Sequence, residues 1–166
     1  MNIIKANIID LWKNGEIVCV TTNGYIKKNG EAVMGRGNAL AMAKTIPLLP
    51  KCLAIHIQHN GNVVGPIYKK VIAFPVKPIE GTWKDALSHV QNRFKKSDKI
   101  PGFWCKADLS IIEKSFIQLN EIIEKYDKLI KTVYLPLPGI NNGQLNFESI
   151  EPLLKDVHKK VTLIHL

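Results

Sequence analysis

A strand, a glycine-rich loop and an alanine-rich helix follow one another between Val18 and Lys44. The apolar run at 16–21 is typical of a buried strand, and the helix is predicted to begin near Asn38. Glycine at positions 24, 30, 35 and 37 lets main-chain N–H groups approach a ligand closely, and the positive end of the helix dipole attracts anions. The segment predicts a phosphate or diphosphate site, although tight turns alone are the simpler explanation for a lone cluster of this kind.

Two common phosphate motifs do not fit this loop. Gly30 and Gly35 have the spacing of a Walker A loop, but Arg36 stands where a lysine would reach the outer phosphates. The segment from Gly35 to Leu40 begins like a dinucleotide fingerprint and lacks the third glycine of that motif. The familiar forms of both motifs are therefore excluded.

Alternating strand and helix patterns predict a single α/β domain over residues 1–166. Strands are expected at 1–9, 16–21, 52–58, 71–75, 132–136 and 161–166. Helices are expected from near Asn38 to Lys44, at 83–92, at 110–126 with a capping box of Ser110 and Glu113, and at 149–159 with Ser149 as its cap. We expect 52–58 and 71–75 to form a hairpin-like pair, and the last strand to lie beside an early one.

The chain carries a formal net charge of +9, and nearly all of the excess is lysine. A basic surface attracts polyanions, so nucleic acid binding is an open alternative. Only Arg36 and Arg93 are arginine, whereas proteins that read nucleic acids usually use arginine for bidentate contacts. The scattered lysines favour a solvated surface, with weak nonspecific affinity for nucleic acid left open.

Cysteines and histidines give little support for a metal or disulfide site. Cys19, Cys52 and Cys105 are far apart and form no CxxC pair. His56 and His59 lie in a segment interpreted as a strand, where side chains three apart point to opposite faces. The chain has neither an apolar run of roughly 18 residues nor a secretion-signal layout. We expect no metal, no cofactor and no membrane association, a cytoplasmic location and a monomer.

A second glycine-containing loop, Leu137 to Leu145, follows the strand predicted at 132–136. Ligands of open α/β sheets bind beyond the carboxyl ends of strands, so loops after different strands can close on one elongated molecule. The two loops are rich in asparagine and poor in carboxylates. They suit a diphosphate flanked by sugars, because side-chain amides both donate to and accept from hydroxyl groups.

With the second loop included, the chain resembles the macro domain family, which binds ADP-ribose. The resemblance covers nearly the whole chain and rests on KANIID, TTNGYIKKNGEAVMGRGNALAMAK, FPVK, ADLSIIEKS and LPLPGINNGQLNFESIEPLL. Met34–Gly35–Arg36–Gly37 is similar to the branch of phage macro domains, DNA ADP-ribose glycohydrolases of toxin–antitoxin systems and terminal ADP-ribose glycohydrolases. The resemblance implies a three-layer α/β/α fold with a central mixed sheet.

The resemblance also implies a ligand site. Asn7 stands where an aspartate usually holds the adenine amino group, with Ile8 offering its backbone N–H, and the uncharged acceptor weakens that bond by about 1 kcal/mol. Asn23 matches the asparagine that faces the distal ribose, although a turn-forming Asn-Gly explains it nearly as well. Two diphosphate loops and an aromatic residue near adenosine complete the set: Gly35, Arg36, Gly37, Gly139, Ile140, Asn141, Asn142, Gly143 and Phe147.

Lys77 is the candidate catalytic residue, with Asn23 orienting the ribose or a water. In the resembling glycohydrolases a lysine after the corresponding strand attacks the anomeric carbon or assists its departure. This chemistry requires some neutral amine, and the sequence gives no reason to expect a shifted pKa, so a solvated lysine is the competing interpretation. Gly143 stands at the position of the partner acid of the terminal glycohydrolases, so their lysine–aspartate pair is absent here.

Several functions are open at this point. The resemblance implies ADP-ribose binding and, beyond it, hydrolysis of an ADP-ribosyl linkage on protein or nucleic acid. A phosphatase acting on ADP-ribose 1″-phosphate and a noncatalytic ADP-ribose reader are alternatives among related domains. A basic nucleic-acid-binding protein is the alternative that follows from the charge.

Overall fold

A mixed sheet forms the centre of the computed structural model, which describes residues 1–165. Its six strands are β1 (Asn2–Lys5), β2 (Ile17–Thr22), β3 (Gly65–Tyr68), β4 (Val71–Pro75), β7 (Val133–Pro136) and β8 (Val161–His165). They lie in the order β1-β8-β7-β2-β4-β3. Neighbouring strands are parallel except β3 and β4, which are antiparallel. The parallel strands therefore bring their carboxyl ends to one edge of the sheet.

Helices cover both faces of this sheet: α1 (Ile8–Lys13), α2 (Gly37–Thr45), α3 (Leu49–Asn60), α4 (Leu109–Lys125) and α5 (Phe147–Ile150). Side chains alternate between faces along a strand. In β2, Val18 and Val20 pack in the core that contains the apolar residues of α1, α2 and α3. Cys19, between them, packs in the core that contains the buried face of α4. The three-layer α/β/α arrangement with a mixed sheet is thus confirmed.

Residues 78–106, called the insert below, separate β4 from α4. The insert consists of three 3₁₀ turns and two short paired strands, β5 (Glu80–Gly81) and β6 (Ile100–Pro101). Ala86, Ile100 and Cys105 give it a small buried core of its own. The helix predicted at 83–92 is replaced by 3₁₀ turns at Trp83–Asp85 and Gln91–Arg93.

The prediction of a strand at 52–58 is wrong, because this segment belongs to α3. Leu49, Leu53, Ala54 and Ile57 are buried with helical spacing, whereas Ile55 is 52% exposed. The partner of β4 in the antiparallel pair is therefore β3 and not 52–58.

The histidines of this segment consequently lie on a helix, so the argument that they point to opposite faces of a strand does not apply. The Nε2 atom of His56 lies 2.8 Å from the carbonyl oxygen of Val63, and Nδ1 of His59 lies 2.9 Å from that of Ile55. Both rings are thus engaged with main-chain carbonyl groups.

The observed ends of several elements differ from the predicted ones, because side chains cap the helices at other residues than expected. The predicted first strand ends at Lys5, because the side-chain oxygen Oδ1 of Asn7 accepts a hydrogen bond from Ile9 N (2.8 Å) and caps the start of α1. Asp108, rather than Ser110, caps α4. Asn146, rather than Ser149, caps α5, and a 3₁₀ helix at Glu151–Asp156 follows in place of a continuous helix to 159.

The last strand lies beside β1, as predicted, and Leu166 falls outside the described residues. Within 1–165, no single helix is long and apolar enough to cross a membrane. Only α2 and α3 together reach that length and composition, and they are bent by 115°.

Candidate functional site

A cavity of about 740 Å³ lies at the carboxyl ends of the parallel strands. The last residues of β2, β7 and β8 and the residue that follows β4 contribute to its wall: Thr22, Pro136, His165 and Val76. Most of the remaining wall comes from the first loop, residues 33–39, and from residues 137–143 of the second loop. The cavity therefore occupies the position where ligands of open α/β sheets bind.

In the first loop, α2 begins at Gly37, where φ is +56°. Its N-cap residue, Arg36, makes no side-chain capping bond. By contrast, α1, α4 and α5 are each capped by an Asn or Asp side chain. Since Gly37, Asn38 and Ala39 all line the cavity, the N-terminus of α2 presents N–H groups without a side-chain cap to the space where a ligand would lie.

Main-chain hydrogen bonds close the second loop on itself and attach it to the segment before α4. Leu145 N donates to Gly139 O at 3.0 Å, and Ala107 N donates to Gly143 O at 2.9 Å. A Cβ atom added to Gly37 would lie 3.0 Å from Nδ2 of Asn142, so the two loops approach each other at this point. They close one side of the cavity together.

Lys77 projects from the loop after β4 and lines the same cavity. Its N–H donates to Thr22 O at 3.3 Å, and its carbonyl oxygen accepts from Nδ2 of Asn62 at 2.9 Å. Burial lowers the pKa of its amine from 10.5 to about 8; nearby Cys105 opposes this shift, and the Arg36 guanidinium adds to it. A lysine of this kind is about one tenth neutral at pH 7, which the sequence alone gave no reason to expect.

Asn23 also lines the cavity, and its side chain holds a turn. Its Nδ2 donates to Val33 O at 3.1 Å, and its Oδ1 accepts from Tyr25 N at 2.9 Å. The turn-forming role considered from the sequence is therefore present. One amide proton and one lone pair are still left for a ligand.

Three predicted ligand-binding residues lie outside the set of described residues that line the cavity: Asn7, Ile8 and Phe147. Asn7 uses its Oδ1 as the cap of α1, with Ile9 N at 2.8 Å and Asp10 N at 3.4 Å. Ile8 is buried in the core. Phe147 begins α5 and is 39% exposed. The other predicted residues are brought together along the cavity: Asn23, Gly35, Arg36, Gly37, Lys77, Gly139, Ile140, Asn141, Asn142 and Gly143.

Sequence reasoning missed an aromatic wall formed by Phe103 and Trp104 of the insert. Phe103 packs edge-on against Tyr25, with ring centroids 5.2 Å apart, and the Arg36 guanidinium lies 5.6 Å from the Trp104 ring centroid. A cation over an aromatic face is a favourable contact. The aromatic residues were visible in the sequence, but nothing in it indicated that the insert folds back against the first loop.

The cavity is electrostatically suited to an anion. Arg36 and Lys77 line it, and none of the described residues in its wall is Asp or Glu. Within residues 1–165, no group of three or more His, Cys, Asp or Glu side chains is placed to hold a metal ion. The arrangement can therefore bind an anion through main-chain N–H groups and a guanidinium, next to a lysine with a lowered pKa.

A mixed six-stranded sheet between helical layers, with its cavity at the strand ends, has the macro domain fold. The macrodomain of Mycobacterium tuberculosis DarG matches with a TM-score of 0.60 and 17% identity, covering 99% of this chain and 97% of that one. Thermosipho africanus DarTG in complex with ADP-ribose matches with a TM-score of 0.53 and 18% identity over 89% of this chain, which spans 37% of that protein.

A protein of unknown function from Bacteroides thetaiotaomicron matches with a TM-score of 0.59 and 14% identity, covering 99% of this chain and 97% of that one. No protein-family model and no curated protein sequence matches the chain. The solved structures thus confirm the fold that the resemblance implied.

Proposed function

We propose that this cavity binds ADP-ribose. The diphosphate lies on the N–H groups at the start of α2 and against the second loop, where no side-chain cap competes with it. A volume of about 740 Å³ is within the usual size of a pocket for a ligand of this class. The shared fold with DarTG, whose structure contains ADP-ribose, supports the choice of ligand.

The orientation of the ligand follows from what lies at each end of the cavity. Lys77 and Asn23 stand beside the distal ribose, and the adenosine extends toward Ile164 and His165 at the end of β8. The Asn7 side chain already caps α1, so it contributes little to adenine recognition. We therefore expect weaker discrimination among bases than an aspartate at this position would give.

We further propose that the chain hydrolyses an ADP-ribosyl linkage on protein or nucleic acid through Lys77. The neutral amine attacks the anomeric carbon of the distal ribose. The bond from that carbon to the target breaks, its electron pair leaves with the target, and the target takes up the proton that the attached amine loses. Water then displaces the amine, which releases ADP-ribose and restores Lys77.

One observation carries the proposed hydrolysis: Lys77 is half-buried in a cavity whose described wall contains no Asp or Glu, and its amine has a pKa of about 8. At pH 7 an ordinary lysine is less than about 0.1% neutral, whereas a pKa near 8 raises that fraction to about one tenth. Burial thus supplies the nucleophile that this reaction needs, without a partner acid at Gly143.

Binding is tested by calorimetry with ADP-ribose, using ADP and AMP as controls at moderate salt. We expect saturable one-to-one binding that requires the distal ribose. An absence of heat with ADP-ribose, at protein concentrations that would detect micromolar affinity, would overturn the proposal and turn attention to nucleic acid.

Hydrolysis is tested with ADP-ribosylated protein and ADP-ribosylated DNA as substrates. Lys77→Ala should lower the rate by about 10²-fold or more while retaining ADP-ribose binding. Lys128→Ala, an exposed lysine beyond the end of α4, is the matched control and should leave the rate unchanged. Reduction with cyanoborohydride should trap the imine form of the ribosyl–lysine adduct, and mass spectrometry should locate it on Lys77.

The outcomes separate the open functions. Full activity of Lys77→Ala would remove the catalytic assignment of this residue. Binding without turnover of either substrate would indicate a noncatalytic reader, and phosphate release from ADP-ribose 1″-phosphate alone would indicate the phosphatase.

A further inference from the structure

Asn62, in the loop between α3 and β3, lies beneath Lys77 and outside the described wall of the cavity. Its Nδ2 donates to the carbonyl oxygen of Lys77 at 2.9 Å. Its own oxygen, Oδ1, is buried and has no hydrogen-bond partner among the described residues. Among the described residues, the Asn62 amide therefore donates a hydrogen bond and accepts none.

The main chain at Lys77 is fixed from both sides. Val76 N and Lys77 N both donate to Thr22 O, at 2.9 and 3.3 Å, which ties the segment to the end of β2. The carbonyl group of Lys77 is tied to Asn62 instead. This bond connects the lysine to the loop between α3 and β3, 15 positions earlier in the chain.

Gly24 makes room for this contact. A Cβ atom at position 24 would lie 2.7 Å from both Cγ and Oδ1 of Asn62, and 2.9 Å from Cγ1 of Ile79. The φ angle of Gly24 is +75°, which also favours glycine. The Asn23–Gly24 turn, the Asn62 loop and the Lys77 segment therefore pack directly on one another below the cavity.

The orphaned oxygen is informative about the role of Asn62. A buried acceptor without a partner destabilises a fold, and an apolar side chain of similar shape would avoid that penalty. The site nevertheless holds an amide, whose one observed contact is the donation to Lys77. The benefit of the side chain therefore lies in what it does to the Lys77 main chain.

We propose that Asn62 is a positioning residue: its amide fixes the main chain of Lys77 and so holds the amine at the depth and direction that attack on the anomeric carbon requires. The proposal rests on the proposed hydrolysis through Lys77. A displacement of about 1 Å at a reacting group is enough to lower a rate by about 10²-fold, so a main-chain anchor has kinetic consequences.

Other groups also act on the Lys77 amine and are held constant in the test. Arg36 from the first loop lowers its pKa, and Cys105 from the insert raises it. Burial raises the pKa of Cys105, and Asp85 and Glu80 of the insert raise it further. None of these side chains is altered by a substitution at position 62.

The test uses Asn62→Leu, which removes the donor, and Asn62→Asp, which keeps the shape but cannot donate when ionised. Asn60→Leu is the matched control, because Asn60 is exposed at the end of α3 and contacts His56 rather than Lys77. Two quantities are measured for each variant: kcat and KM for hydrolysis, and the pKa of Lys77 by NMR of ¹³Cε-labelled lysine, assigned by the signal lost in Lys77→Met.

In Asn62→Leu we expect kcat to fall by about tenfold or more with KM changed by less than about twofold, because the reacting amine moves while the ligand loops stay in place. The pKa of Lys77 should rise toward 10.5, because a loosened segment exposes the amine to water and reduces the desolvation that lowers its pKa. In Asn62→Asp we expect a similar fall in kcat, whereas the Lys77 pKa of this variant is not diagnostic, because the introduced carboxylate raises it directly. Asn60→Leu should match the wild type in both quantities.

A wild-type kcat together with a wild-type Lys77 pKa in Asn62→Leu would overturn the proposal. If Asn62→Leu does not fold, as judged by thermal unfolding, the kcat of Asn62→Asp decides instead, and a wild-type kcat in that variant would overturn the proposal. If the wild type hydrolyses neither substrate but the pKa of Lys77 still rises in Asn62→Leu, the anchoring of Lys77 by Asn62 stands and the proposed hydrolysis is what fails.

Discussion

The two glycine loops at the cavity look alike in sequence but meet different surroundings. In the first loop, a Cβ atom added to Gly35 would find its nearest neighbour 4.0 Å away, at Cγ1 of Val33. In the second loop, a Cβ atom added to Gly139 would lie 2.7 Å from Cδ1 of Leu145, and one added to Gly143 would lie 2.7 Å from Cβ of Ala107. The first loop borders open space at Gly35 and meets only the Asn142 side chain at Gly37, whereas the second loop is packed against the protein.

The two loops therefore require glycine for different physical reasons. In the first loop, glycine keeps the main chain accessible and allows a positive φ where α2 begins. In the second loop, glycine is needed because core side chains leave no room for a Cβ atom. Substitutions in the first loop should therefore affect binding, and substitutions in the second loop should affect stability.

The largest effect is expected from Gly139→Ala. The φ angle of +76° strains any other residue, and the added methyl group would also lie 2.9 Å from Cδ1 of Ile112. We expect a loss of about 2–4 kcal/mol in the free energy of unfolding. Denaturant titration measures this loss, and a change below about 1 kcal/mol would show that the second loop is not packed as described.

Gly37→Ala should weaken ligand binding more than it lowers the stability of the fold. Its φ of +56° gives a strain of about 1 kcal/mol. The added methyl group would lie 3.0 Å from Nδ2 of Asn142, where the two loops meet and the diphosphate is proposed to lie, so it should weaken ADP-ribose binding by about tenfold. Gly30→Ala is the matched control, since Gly30 has a φ of +83° and no atom within 4 Å of an added Cβ. Calorimetry that shows equal affinity for both variants would remove the first loop from the site.

Arg36→Leu examines the charge of the first loop rather than its main chain. Because the guanidinium lowers the pKa of Lys77, its removal should raise that pKa. Loss of a charge-assisted contact should also weaken ADP-ribose binding by about 1 kcal/mol or more. Arg93→Leu, an exposed arginine of the insert, is the control. If both variants bind alike, Arg36 does not contact the diphosphate.

The smallest effect concerns stability against pH. The folded chain lowers the pKa of Lys77 from 10.5 to about 8, so below pH 8 the amine is charged in both states and its burial opposes folding. Between pH 8 and 10.5 the unfolded state binds more protons, and stability rises with pH. Lys77→Met should therefore stabilise the protein most below pH 8, and this gain should shrink toward pH 10.5. A gain independent of pH, in denaturant titrations across this range, would contradict the lowered pKa.

Much of the fold follows from local patterns in the sequence. The strand, loop and helix from Val18 onward, the strand before Lys77 and the second loop all lie close to where their patterns placed them. Polarity and turn chemistry are local properties, so they can be interpreted from a short window. The wrong assignment at 52–58 arose because the alternation in AIHIQH imitates a strand, while the burial that defines a helix extends back to Leu49.

The rest depended on contacts between distant segments. The Asn62–Lys77 bond joins the loop between α3 and β3 to the loop after β4, 15 positions later. The Arg36–Trp104 contact joins the first loop to the insert. The lowered pKa of Lys77 likewise comes from burial. Capping was ambiguous for a simpler reason, since Asp108 and Ser110, or Asn146 and Ser149, are each able to start a helix.

The position of β1 at the edge of the sheet has a kinetic consequence. Among the strands of residues 1–165 it pairs with β8 alone, and the paired residues Asn2 and Thr162 are 160 positions apart. Closing so long a segment of chain is entropically unfavourable, and three of the four residues of β1 are exposed. We therefore expect β1 to dock last during folding, and its amide protons to exchange with solvent sooner than those of β2, which lies between β7 and β4.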